Sequence, residues 1–119
     1  MGKLYTPATA AEDVEVAFSS LDGRWKLLII FHLFDGKVQR YSDLEKLIPA
    51  ISQKMLAQQL RQLEADGIVS RTLYPQVPPK VEYRLTEWGQ ALCPALDALL
   101  SCLDKKDLKP DVELSCLYN

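Results

Sequence analysis

Between Ala10 and Leu21, the residues Ala10, Val14, Ala17, Phe18 and Leu21 recur at the three- and four-residue spacing of one helix face. Thr9 and Glu12 have the spacing of a capping box, which predicts a first helix over 10–21 with Gly23 as its stop. Arg24 to Phe34 is apolar on nearly every side, the pattern of a buried central helix, and Asp35-Gly36 ends it. Val38 to Tyr41 suits a short strand. Ser42 and Glu45 form a second capping box, opening a third helix that carries Leu44, Leu47 and Ile48 and stops at Pro49. Ser52 caps a fourth helix, with Ile51 and Leu56 as a hydrophobic staple, Leu56, Leu60 and Leu63 turned inward, and Gly67 just past its end. Ile68 to Tyr74 reads as a strand. Val81, Tyr83 and Leu85 then alternate with Lys80, Glu82 and Arg84 as a half-buried strand, and Pro75 to Pro79 forms a stiff link between the two. Thr86 caps a last helix over 87–104 bearing Trp88, Leu92, Ala95, Leu96, Leu99 and Leu103, kinked at Pro94, and a polar tail over 105–119 frays from it.

Two helices joined by a short turn and followed by a two-stranded hairpin make a winged helix-turn-helix. The expected fold class is therefore mainly α with a small β hairpin (α+β). The helix-turn-helix covers 42–66, the wing 68–86, and helices 10–21 and 87–104 lie outside that body. A chain of 119 residues supports one core, so 1–119 is read as a single domain.

The fourth helix carries the most specific chemistry. At about 100° per residue, Lys54, Ala57, Gln58 and Arg61 lie opposite the leucine stripe, and none of them is acidic. Such a stripe suits the major groove: Arg or Lys bonds guanine O6 and N7, Gln pairs with adenine, and Ala touches a thymine methyl. Ser52 and Gln53 open the helix, where backbone N–H groups meet a phosphate. Lys80, beside the proline-rich tip, suits a phosphate or minor-groove contact. A solvated surface face is the plain alternative for any single helix, and the order of elements around this one weighs against it.

Net charge is −2, so no global pull toward DNA exists and a local patch must supply it. From Ile51 to Arg84, five cations (Lys54, Arg61, Arg71, Lys80, Arg84) face three acids (Glu64, Asp66, Glu82), a modest basic excess. Other chemistries find little support. The three cysteines, Cys93, Cys102 and Cys116, are far apart and His32 is the sole histidine, so neither a metal site nor any cofactor is expected. No nucleophile–base pair, paired carboxylates or phosphate-binding glycine loop suggests an enzyme. The chain start lacks the apolar run of a secretory leader and Leu27 to Phe34 is too short to span a bilayer, so no membrane partner and a cytoplasmic location are expected.

The stretches "LDGRWKLLIIFHLFDG" and "RYSDLEKLIPAISQKMLAQQLRQLEADGIVSRTLYPQVPPKVEYRLTEWGQAL" resemble the HxlR-type transcriptional regulators, relatives of the MarR group. The likeness runs from about Ala17 to Leu100. It implies a prokaryotic homodimer that binds double-stranded operator DNA and acts on nearby genes, as a repressor or an activator, with its N- and C-terminal helices as the interface. The apolar residues of those helices agree: Val14 and Phe18 on the first, and Trp88, Leu92, Leu96, Leu99 and Leu103 on the last. Family members commonly carry a Cys-Pro pair before the first helix, in some of them a sensor of thiol-reactive compounds. That place, about Ala11 to Asp13, holds no cysteine. If this chain answers an electrophile or other small-molecule effector through a thiol, Cys102 is the expected redox sensor, with Cys116 as its partner, whereas Cys93 among apolar neighbours reads as inert. Ala57 stands where many relatives carry Thr or Ser. A winged-helix module that grips a protein partner, without sequence-specific DNA binding, is the alternative reading, because fold alone does not decide.

Overall fold

Thr6 and Thr9 cap each other at the start of the first helix in the computed structural model, which describes residues 4–105. The Thr6 hydroxyl accepts from the Thr9 N–H at 3.2 Å, and the Thr9 hydroxyl accepts from the Thr6 N–H at 3.0 Å. Helix α1 (Pro7–Leu21) therefore begins three residues before the expected Ala10. Pro7 at the first helical position, with its φ preset and no N–H to leave unpaired, makes the earlier start favourable, so the Thr9–Glu12 box is not the cap.

Gly23 has φ +114, a conformation that costs only a residue with a Cβ. It separates α1 from α2 (Arg24–His32), which stops two residues before the expected Phe34. Asp35 and Gly36, both at positive φ, turn the chain after it. Ile29, Ile30 and Leu33 are fully buried, but Leu28 is 40% exposed and Trp25 only partly covered, so the helix is open on one side rather than buried all round.

Strand β1 is short (Gln39–Arg40) and leads into α3 (Tyr41–Leu47). The Asp43 carboxylate accepts from the Arg40 N–H at 2.9 Å, which caps α3 two residues earlier than the Ser42–Glu45 box would. Helix α4 (Gln53–Ala65) follows the turn. Gly67, at φ +78, ends it with bonds from the Gly67 N–H to the Glu64 carbonyl and from the Ile68 N–H to the Leu63 carbonyl, each 3.0 Å. This Schellman pairing satisfies the carbonyls a helix end leaves open.

Strands β2 (Val69–Tyr74) and β3 (Lys80–Leu85) form the hairpin, and β1 pairs with the other edge of β3, giving the antiparallel order β1-β3-β2. Val69 faces Leu85, Arg71 faces Tyr83 and Leu73 faces Val81 across the hairpin. Alternation places these six on one sheet face, whose inner end, Val69, Tyr83 and Leu85, is buried in the core.

Helix α5 (Glu87–Lys105) starts where α4 gives way to the sheet. The Thr86 hydroxyl donates to the Gly67 carbonyl and accepts from the Gly89 N–H at 3.1 Å. Gly89 is buried so close to the Ile68 carbonyl and the Leu85 side chain that a Cβ there has no room. Beyond Leu96 the residues 97–102 are all exposed, and Leu21 is the sole buried residue of α1. These two arms give the chain a Cα radius of gyration of 16.4 Å, above the roughly 13 Å of a compact chain of this size.

Candidate nucleic-acid interface

Helix α4 is fixed on its inner side by Leu56, Leu60 and Leu63, each at most 2% exposed. Burial of each contributes about 1.5–3 kcal/mol, so the helix cannot roll without exposing them. Its start is tied twice. The Ser52 hydroxyl accepts from the Met55 N–H at 3.1 Å, as expected of that cap. The Tyr41 hydroxyl, from the first residue of α3, donates to the Gln53 carbonyl at 2.7 Å. Burial pushes the Tyr41 pKa up, Glu45 and Tyr83 add to the rise, and Arg61 opposes it. The hydroxyl therefore keeps its proton and remains a donor.

The opposite side of α4 is open. Ser52, Gln53, Lys54, Gln58 and Arg61 are exposed and Ala57 is half-buried, with no acid in the first turn. The helix thus brings together six of the seven residues expected to contact DNA. Within this stripe, Lys54 and Gln58 occupy the outer edge. Ala57 and Arg61 lie toward the sheet, where they line a crevice of about 390 Å³ with Tyr41, Glu64, Arg71 and Tyr83.

Lys80, the seventh, sits apart on the wing and is not free. Its Nζ lies 3.4 Å from a Glu82 carboxylate oxygen and 4.7 Å above the Tyr74 ring, while Arg84 binds the other Glu82 oxygen at 2.8 Å. One acid therefore offsets two of the five cations counted in the sequence. The remaining three, Lys54, Arg61 and Arg71, are exposed and make no ion pair among the described residues. Arg71 was absent from the expected contacts. Its signal was available: a cation between Val69 and Leu73, at an inward position of the alternating pattern.

A separate apolar cleft of about 510 Å³ lies between α2 and the α3–α4 turn, lined by Trp25, Leu28, Phe31, Leu47 and Pro49 among others. On the arms, Val14, Phe18, Trp88 and Leu99 are 41–55% exposed, and Leu92 and Leu103 are half-buried. Leu96 departs from that expected face, because it is buried in the chain's own core. Val16 and Leu100, not singled out by spacing, are also exposed. Cys93 is half-buried, and burial, with Asp97 and Asp35 nearby, raises its pKa. Cys102 is exposed, and Cys116 lies outside the described residues. Among the described residues no group of three or more His, Cys, Asp or Glu is placed to hold a metal, and no helix is long and apolar enough to cross a membrane.

The model of the HxlR-like helix-turn-helix family matches residues 20–109. The chain is 54% identical over 86 residues to the HTH-type transcriptional regulator YtcD of Bacillus subtilis, covering 72% of this chain and 68% of that protein. It is 50% identical over 86 residues to an HTH-type transcriptional regulator of Methanothermobacter thermautotrophicus, covering 72% of this chain and 65% of the other, so the shared region is about two thirds of the relatives' length. Among solved structures, the redox regulator HypR in its reduced form superposes with a TM-score of 0.74 at 42% identity, over 87% of this chain and 98% of that one.

Proposed function

The chain belongs to the HxlR-like helix-turn-helix family of transcriptional regulators, and from that premise we propose that it binds operator DNA as a homodimer through α4 and the wing. Its relatives bear the names of regulators, a role without a chemical reaction. The observation that carries the proposal is the acid-free stripe of Lys54, Gln58 and Arg61, exposed on a helix whose other side is buried and whose start is tied by Tyr41 and Ser52. Lys54 and Gln58, nearest the N-terminal half, read base edges. Ser52 and Gln53 bring backbone N–H groups to a phosphate. Lys80 contributes weakly, since any phosphate competes with Glu82 for it.

Dimerisation uses the two arms. Val14 and Phe18 on α1, with Trp88 and Leu99 on α5, expose apolar surface that a second copy would cover. Helices 10–21 and 87–104 of the sequence pattern are thereby the dimerisation elements, and 42–86 the DNA-binding part of one domain. A two-fold dimer reads a pseudo-palindrome with half-sites roughly 34 Å apart, one turn of the duplex. An electrophoretic shift with the DNA upstream of its own operon tests the proposal: a retarded complex supports it, and no complex at low salt contradicts it. Redox regulation is the role of HypR. For this chain we propose Cys102, exposed on the α5 arm, as the thiol that an electrophilic or oxidising effector modifies.

A further inference from the structure

Arg61 and Arg71 line the same crevice from two different elements, α4 and β2. Arg71 lies on the sheet face whose inner end packs into the core, directly across from the buried Tyr83. An apolar residue there would continue the pattern set by Val69 and Leu73. The cation instead lies beside a second cation, and neither has an ion-pair partner among the described residues. Two like charges in one crevice repel, and an anion between them reverses the sign of that interaction. Glu64 is the acid on the rim and makes no ion pair with either arginine. The Tyr41 proton is committed to the Gln53 carbonyl, so the crevice's charged donors are the two guanidinium groups, with the Tyr83 hydroxyl beside them. Their planar forks match a phosphate with paired hydrogen bonds.

The position says which phosphate. Base edges are met by the first turns of a recognition helix. Arg61 lies further along α4, on the flank turned toward the sheet, where the wall of the groove is sugar and phosphate. We propose that this crevice is a phosphate clamp, in which Arg61 and Arg71 together hold one phosphodiester of the DNA backbone. Arg71 is thereby a DNA-contacting residue, and Arg61 positions the protein rather than reading guanine. The clamp rests on the DNA-binding reading above.

The test uses the full chain and fluorescence anisotropy at several salt concentrations, with two duplexes: one from the upstream region and one of random sequence. Arg71→Ala weakens both by the same factor, on the order of tenfold, and lowers the salt slope by about one. Arg71→Lys keeps the slope, and Glu64→Gln, which removes a like charge beside the phosphate, tightens both duplexes. These two variants keep the test decisive if Arg71→Ala fails to fold. Wild-type affinity and slope in Arg71→Ala, or a loss confined to the preference between duplexes, would overturn the clamp. If wild type binds neither duplex, the DNA-binding reading fails, and the DNA clamp with it. Titration with inorganic phosphate, followed by the arginine side-chain NMR signals, then separates the cases. A response lost in Arg71→Ala assigns the crevice to free phosphate instead, and no response removes it as an anion site. If wild type binds DNA but Arg71→Ala changes nothing, the clamp alone fails.

Discussion

The Tyr41 hydroxyl donates to the backbone carbonyl of Gln53 across 2.7 Å, joining the first residue of α3 to the first residue of α4. Together with the leucine stripe beneath α4, this bond sets the angle at which the exposed, acid-free stripe is presented. A side chain with no place on that stripe thus governs how it is aimed.

Tyr41→Phe removes the bond and leaves the ring. The expected loss is about 0.5–1.5 kcal/mol, seen as a lower urea midpoint with an unchanged slope. The pKa of Tyr41 is raised in the folded chain, so the folded state holds this proton more tightly than the unfolded one. Its contribution is fully present below about pH 10, the ordinary tyrosine value, and is lost as pH rises above it. Wild type therefore loses stability more steeply than Tyr41→Phe in that alkaline range, and parallel curves would rule out the assigned role of the hydroxyl.

Gly89→Ala tests how α5 docks. Alanine is favoured over glycine in a helix by about 1 kcal/mol, but a Cβ at 89 meets the Ile68 carbonyl and Leu85. Overpacking of this kind costs roughly 1–3 kcal/mol. A lower melting temperature is the expected result, and a raised one would mean that α5 sits further from the sheet.

The element order and the exposed, acid-free stripe of α4 were legible in the sequence because their signals are local. Ser52 and Gly67 bound α4, and Leu56, Leu60 and Leu63 repeat on one face. Helix starts were less so: Thr9 and Asp43 each bond to the residue three before them, Thr6 and Arg40, and nearby Ser42 and Glu45 mimic the same spacing. The loss of Lys80 as a free cation depends on Glu82, and the pairing of Arg61 with Arg71 on the fold bringing α4 against β2. Leu96 shares a helix spacing with Leu92 and Leu99, and only the path of α5 over the core separates it from them.

Phe18→Asp or Leu99→Asp, each at an exposed apolar position on an arm, should convert a dimer into a monomer while the circular dichroism spectrum stays helical. Light scattering checks this. A wild-type monomer at micromolar concentration, unshifted by DNA, would contradict the proposed interface.

Thiol labelling should separate the two cysteines of α5. The Cys93 pKa is raised, first by burial and then by Asp97 and Asp35, so its thiolate is scarce at neutral pH and its alkylation is slow there. Exposed Cys102 is modified first. Diamide treatment should release DNA from wild type and leave Cys102→Ser bound. Equal release from both would remove Cys102 as the sensor.

The most direct test of sequence reading by α4 is the binding preference of wild type and Gln58→Ala, at one salt concentration, between an upstream-region duplex and a scrambled one of equal length. Wild type should prefer the upstream duplex. Gln58→Ala should lose about 1–3 kcal/mol of that preference while binding the scrambled duplex as before. A wild type that binds both duplexes alike, or a Gln58→Ala variant with its preference intact, would contradict the claim.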